Sequence, residues 1–429
     1  MTGLLTNFYA DALTRDTWWI QLIRVLLLIV PILTLVPGLI WWERRLLSWM
    51  QDRVGPNRVG PWGLLQPIAD GVKLFFKEDI TPAAVDRAIY FMAPAIALFP
   101  AFALGATMPW GSVDPDSPYR LLTPVADVPI GILYMMAVSS LGVYGVVLGG
   151  YASNNKYSLL GGLRSSAQLI SYELAMGVSL ACIVLASGSL RMTDMVKVQE
   201  GPLWGIGGLP IQNWFFFTPY GFLAGVIFLI CMVAETNRAP FDLPEAENEL
   251  IAGYHTEYSS MKFAVYFMGE YAAMFVFSGI FAAVFLGGWN PLPIRWEAIG
   301  LGGLNHFLKI LGPLFFITKM AFGISVYIWL RATLPRLRYD QLMDLGWKSL
   351  LPLAALNLIG IATWQYVSSV YGAGTAIPVG TAFVILAAII LGFVLITRKA
   401  NARDFKPRTV RYVDAGKGSV EVAETGAPS

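Results

Sequence analysis

Charge is scarce in this chain, and so are the residues that commonly bind metals. Only 14% of its 429 residues are Asp, Glu, Lys or Arg, whereas soluble domains carry about 25%. Two cysteines, Cys182 and Cys231, and two histidines, His255 and His306, are all the soft ligands it has. So few cannot supply an iron–sulfur cluster or a bis-histidine haem, and the cysteines read as small packing residues, neither a disulfide nor a metal pair. A net charge of +2 without a long basic run argues against nucleic acid as a partner. The first eighteen residues have no basic segment ahead of a short apolar core, so no cleaved secretory signal is expected. An internal repeat is also missing, and with it the inverted-repeat signature of many secondary transporters.

What the chain does have is hydrophobicity, at 56% of residues. Stretches of about 20 apolar residues cross roughly 30 Å of hydrocarbon as helix. They fall at 19–42, 88–108, 129–151, 167–188, 219–236, 263–287, 306–330, 349–367 and 377–397. The expected fold is all-α, a polytopic membrane protein with about nine transmembrane helices and an interfacial amphipathic helix; eight spans is the alternative. The membrane domain is expected over 19–397, between an outside N-terminal segment, 1–18, and a basic cytoplasmic tail, 398–429. With the N-terminus outside, the inside segments 43–87, 153–166, 237–262, 331–348 and 398–417 hold 22 Lys and Arg, and the outside segments hold six. That is the positive-inside arrangement. An even span count would leave the basic tail outside.

Three inside segments carry chemistry. The first reads Glu43-Arg44-Arg45, then Arg53-Val-Gly-Pro-Asn-Arg-Val-Gly-Pro61, two Gly-Pro turns that bend the backbone sharply. Beyond it Leu65, Ile68, Val72, Phe75 and Phe76 recur at three-and-four spacing, with Asp70, Lys73 and Lys77 opposite, which predicts a helix lying in the interface plane. A surface anchor is the plain reading. The sharper one makes this helix, with the end of the first span, the wall of an opening from the bilayer, where Asp70 and Lys73 meet an apolar cavity. The second segment, 235–257, sets six carboxylates beside Arg238 directly after an apolar run; ionisable groups at the edge of hydrocarbon commonly mark an ion path, a proton relay or a docking surface. The third, 331–348, is short, basic and aromatic, and serves at least as a positive-inside anchor.

Three carboxylates fall within spans. Glu173 and Glu270 lie about seven and eight residues in from their inside ends, roughly 10–12 Å deep at 1.5 Å per residue, and Glu235 closes the fifth span at a shallower level. Acids from three helices at similar depth point to a layer that titrates as a coupled set. The competing reading is that each merely hydrogen-bonds a neighbouring helix and glues the bundle.

Four segments, in order, carry a resemblance: 51–79; Ala152-Ser-Asn-Asn-Lys-Tyr-Ser-Leu-Leu-Gly-Gly-Leu-Arg164 on to Ser171-Tyr-Glu173; Ala234-Glu-Thr-Asn-Arg-Ala-Pro-Phe-Asp-Leu-Pro-Glu-Ala-Glu-Asn-Glu249 on to Glu257-Tyr258; and Pro335-Arg-Leu-Arg-Tyr-Asp-Gln-Leu-Met343. Over residues 20–350 the chain resembles the family of the H subunit of bacterial respiratory complex I, the counterpart of mitochondrial NADH dehydrogenase subunit 1. The resemblance implies a subunit of a proton-translocating NADH-quinone oxidoreductase in the cell inner membrane. Such a subunit joins the proton-pumping arm to the redox arm and forms much of the tunnel by which a lipid quinone enters. It implies that Glu43, Arg44, Arg53 and Asp70 line the tunnel near its mouth and middle, with Arg238 and Asp242 deeper. Glu173, Glu235, Glu245, Glu247 and Glu270 would form an acid chain from the quinone chamber towards the pumping subunits. Quinone is the implied substrate, while NADH, FMN and the iron–sulfur clusters belong to partner subunits, and the partners are the other membrane subunits and the soluble quinone-site and iron–sulfur subunits. Tyr151 stands where a Trp is common, and the tail after Arg398 matches no pattern. Two rivals remain: the equivalent subunit of a membrane-bound hydrogenase or ferredoxin-fed complex, which shares the fold, and a stand-alone proton or cation carrier.

Overall fold

The computed structural model describes residues 18–111, 125–203, 210–242, 252–296, 298–300, 308, 310–371 and 380–393. These form eleven α-helices, and no β-strand occurs among the described residues. In chain order they are α1 (Trp18–Met50), α2 (Gln66–Phe76), α3 (Arg87–Gly105), α4 (Gly131–Ala152), α5 (Lys156–Ser187), α6 (Met192–Gln199), α7 (Pro219–Glu235), α8 (Ser260–Phe285), α9 (Gly312–Thr333), α10 (Tyr339–Tyr371) and α11 (Gly380–Phe393). Seven of them are long and apolar enough to cross a membrane, and the shorter apolar α7 and α11 stand where the fifth and ninth spans were expected. The expected class, all-α and multi-pass, is the one observed.

Several helices outrun their apolar stretches. α1 continues to Met50, so Glu43 and Arg44 sit on helix and not on a loop. α5 starts at Lys156, capped by the Asn155 side chain accepting from Tyr157 N–H, and its first turns bury Ser158, Gly161, Gly162 and Ser165 before the apolar stretch begins. Within α10 the backbone loosens into a π turn, Leu345–Leu350, where Leu351 N–H reaches back five residues to Gly346 O. Gly346 there packs on Ser171 and on the Tyr172 ring, whose hydroxyl donates to Leu342 O at 2.9 Å.

α8 is the axis of the bundle and the most buried span, touching α1, α2, α3, α6, α7 and α9. Around it α3, α4, α5 and α7 pack in sequence, and α10 closes on α5. The α3–α4 contact depends on Gly145, where an added Cβ would stand 2.5 Å from Ala97 N. Such close backbone approach through small residues is how membrane helices gain packing without a hydrophobic drive.

The amphipathic helix α2 is present where the spacing predicted it, with Pro67 in its first turn. Ile68, Val72, Phe75 and Phe76 are exposed, so its apolar face is left largely uncovered by the described residues. Its far end is strapped to the start of α8. Ser260 Oγ donates to Leu74 O, Ser259 Oγ pairs with both the N–H and the carbonyl of Ile80, and Lys262 Nζ binds Asp79 and Thr81 at 2.9 Å each. Beside this strap Tyr258 stacks on Tyr90 at 4.3 Å, and burial pushes its phenol up to about 12.

Overpacking at a close contact costs about 1–3 kcal/mol. Gly145→Ala should therefore lower the melting temperature of the detergent-purified protein, while Gly38→Ala, whose new methyl meets open space, should leave it unchanged in the same thermal scan.

Candidate functional site

Where α7 ends, the chain turns back through Thr236 and Asn237. Asn237 takes φ +50°, a left-handed conformation that Asn tolerates better than most residues. The turn carries Arg238 into the bundle, where it is only 6% exposed. Its guanidinium lies 4.2 Å over the Tyr271 ring and 5.6 Å over Phe267, and Nη2 stands 4.0 Å from Glu270 Oε2, all on α8. Tyr254 Oη donates to the other Glu270 oxygen at 3.3 Å. Four residues on, Asp242 is buried and accepts from Arg336 Nη2 at 2.8 Å, while Leu337 N–H donates to Pro240 O.

A second charge lies across Tyr271. Glu43 of α1 is 5% exposed; one carboxylate oxygen accepts the Tyr271 hydroxyl at 2.6 Å and the other pairs with Arg331 of α9. One phenol thus connects Glu43 to the Arg238–Glu270 pair. Nearer the surface Arg44 Nη1 binds Asp70 Oδ2 at 2.6 Å, pinning α2 to α1, and Gln66 adds a weaker contact at 3.4 Å.

Beyond Glu270 lies a cavity of about 80 Å³, with Glu235, Glu270, Asn237, Tyr254, Tyr266 and Ser139 among its lining. That is room for several waters among polar partners. Glu235 is half-buried, but its Oε2 is shut off from the surface and has no hydrogen-bond partner among the described residues. Glu173 is within electrostatic reach of it and accepts from Ser139 Oγ at 3.1 Å and Ser140 Oγ at 2.5 Å. Glu43, Tyr271, Arg238 and Glu270 thus form one run of contacts, and the cavity adds Glu235 and Ser139, the donor to Glu173.

Of the residues singled out from sequence, Glu43, Arg238, Glu270, Glu235 and Glu173 therefore come together, with Asp242 at one edge and Arg44–Asp70 at the other. Arg53 stands apart, exposed, its Nε on Gln51 Oε1 at 2.6 Å. Glu245 and Glu247 lie outside the described residues. Sequence reading missed Tyr271, Tyr254, Ser139, Ser140, Arg331 and Arg336. Arg331 and Arg336 were visible only as members of a basic loop, and nothing in the spacing pairs them with Glu43 and Asp242. Lys319, a cation inside a span, is no part of this cluster: its amine binds the carbonyls of Leu286, Gly288 and Asn290 past the far end of α8, 4.1 Å from the Trp214 ring.

The sequence profile of the NADH dehydrogenase family matches residues 23–362. The chain is 48% identical over 317 residues to the NADH-quinone oxidoreductase H subunit 1 of Cytophaga hutchinsonii, covering 74% of this chain and 88% of that one. It is 48% identical over 344 residues to the H subunit 2 of the same enzyme in Geobacter sulfurreducens (80% and 94%). To the H subunit of the Streptomyces avermitilis enzyme it is 43% identical over 369 residues (85% and 77%). Fold and site define a multi-pass membrane protein with one half of its bundle built around a buried Arg–Glu pair and the acids beside it. The chain belongs to the NADH dehydrogenase family, in its subunit 1/H branch.

A hydrogen bond to a buried charge contributes about 1.5–3 kcal/mol. Tyr271→Phe should therefore destabilise the protein measurably in a thermal scan, and adding Glu43→Gln to Tyr271→Phe should cost less than the two single changes summed, since both remove one contact.

Proposed function

We propose that this chain is the membrane subunit of a proton-translocating NADH-quinone oxidoreductase that admits quinone from the bilayer and couples its reduction to proton movement. Support comes first from relatives named as the H subunit of NADH-quinone oxidoreductase, matched over most of their length. The observation that carries the coupling half is the cavity that Glu235 and Glu270 share with Ser139, the donor to Glu173. An apolar helix face left uncovered beside the Arg44–Asp70 pair supports entry of a lipid substrate between α1 and α2.

In this reading the quinone passes Arg44, Arg53 and Asp70, then Glu43, and its head group comes to rest near Arg238 and Asp242. Reduction there draws protons and shifts charge at Arg238. The change passes to Glu270 and onward to Glu235 and Glu173, with Glu245 and Glu247 as the loop's own contribution. Electrons come from partner subunits that hold FMN and iron–sulfur clusters and oxidise NADH. The assembly lies in the cell inner membrane with the N-terminus outside.

The decisive experiment compares three rates in assembled, reconstituted complex: quinone reduction, reduction of a soluble acceptor, and proton pumping. Asp70→Asn should lower the first relative to the second, because it disturbs entry only. Glu173→Gln and Glu270→Gln keep shape and remove charge; each should reduce quinone turnover strongly and pumping at least in proportion. Full turnover with full pumping in both variants would leave the acids as helix glue and end the proposal.

Orientation has a separate check. A tag placed after Arg398 should react with an impermeant reagent only in inside-out vesicles, because the tail from that point carries seven basic residues. Labelling in intact cells would overturn the nine-span topology.

A further inference from the structure

We propose that Ser139 and Ser140 of α4 are the inner and outer proton gates of Glu173, each hydroxyl relaying a proton by switching between two acceptors. The inference deepens the proton-path reading and rests on it.

Proton bookkeeping carries the argument. A serine hydroxyl has one hydrogen to donate and lone pairs with which to accept. Ser139 Oγ stands 3.0 Å from Met136 O and 3.1 Å from Glu173 Oε1; Ser140 Oγ stands 2.9 Å from the same carbonyl and 2.5 Å from the same carboxylate oxygen. Each hydroxyl therefore has two acceptors for one hydrogen. With Glu173 ionised, both hydrogens turn to Oε1. With Glu173 protonated, its own O–H must donate, and it can do so to a serine oxygen only if that serine turns its hydrogen back to Met136 O. The backbone carbonyl is the resting place that makes the switch reversible, and helix glue alone would not call for two donors on one oxygen, each with a second acceptor.

The two serines face different ways. Ser139 is buried and lines the cavity with Glu235 and Glu270. Ser140 is half-buried, beside exposed Leu141 and Tyr144 of α4 and opposite exposed Ile170 and Leu174 of α5, at the outer flank of the bundle. Inward, a protonated cavity water (hydronium) gives a proton to Ser139 Oγ as Ser139 gives its own to Glu173 Oε1; the hydronium becomes neutral water, Glu173 is neutralised and Ser139 is unchanged. Outward, Ser140 swings its hydrogen from Met136 O to a carboxylate of the membrane subunit that covers this apolar flank and passes it there as Glu173 gives its own proton to Ser140 Oγ; the partner carboxylate is neutralised, Ser140 is unchanged and the Glu173 anion is restored.

The test uses assembled complex in liposomes carrying Ser139→Ala, Ser140→Ala, the corresponding Ser→Thr variants and Glu173→Gln. Each alanine variant should assemble with normal subunit content and lose pumping and quinone turnover about ten- to a hundredfold, the factor carried by one lost hydrogen bond to a charged group. Threonine, which keeps the hydroxyl, should restore most of it. The carboxyl band that Glu173→Gln removes from redox-induced infrared difference spectra should shift in both alanine variants and return in the threonine variants, which a packing role would not produce. If Glu173→Gln abolishes pumping while both alanine variants pump normally with the band unmoved, the gates are overturned and the acid path stands. A loss in alanine that threonine fails to rescue also overturns them. Full pumping in Glu173→Gln removes the acid path itself.

Discussion

The inner half of this bundle is organised by a guanidinium that cannot reach water. Moving a charge of that size out of water costs several kcal/mol even after relaxation, and Arg238 meets the cost with Glu270 on one side and the faces of Tyr271 and Phe267 on the other. These contacts join the turn after α7 to the middle of α8. Because Glu235 ends α7 and Glu270 lies on α8, the same contacts hold the two acids across one cavity. Tyr271 then extends the assembly to α1 through Glu43, and Glu43 to α9 through Arg331. Four helices that have little polar reason to associate are thereby registered against one another at a single depth.

Lys319 and Glu235 show how satisfaction separates structure from chemistry. An ammonium has three hydrogens to donate, and Lys319 spends them on three carbonyls beyond the last turn of α8. That saturates the lysine and also neutralises the negative end of the helix, so it fixes α9 against α8 and has no donor in reserve. Glu235 is the opposite case, with one oxygen lacking a partner among the described residues at the edge of a water-sized cavity. Buried polar atoms left in that condition are rare and costly, and this one lies at a cavity that Glu270 also lines.

Much of the fold could be read from the residues, because hydrocarbon imposes one rule on every span. Length and apolarity located the helices, three-and-four spacing located α2, and Glu173, Glu235 and Glu270 stood out as charges in apolar runs. Their mutual arrangement could not be read. Arg331 and Glu43 are 288 positions apart, Arg336 and Asp242 94, and no local pattern encodes such pairings. Ser139 and Ser140 look like ordinary small residues of a membrane helix until Glu173 is brought against them. Helix ends were misjudged where polar turns continue α1 and α5 beyond their apolar stretches, since hydropathy reports solvent preference and not the hydrogen-bond ladder.

The π turn in α10 bears on the other side of the molecule. An α-helix advances about 100° per residue, so closing a turn over five residues in place of four shifts the phase of everything after it by about that angle. Up to the start of the turn α10 presents Leu342 and Gly346 to Tyr172; after it the helix presents Ala354 and Asn357, and Asn357 reaches Tyr220 O at 2.9 Å and the Cys182 sulfur at 3.6 Å. A single face of α10 thus stays on α5 over a length at which an unbroken helix would have rotated away. The helix counts its residues: the identity of side chains in 345–350 matters less to this seam than their number, and a family member that gained or lost one residue there would have to find a different partner for its asparagine.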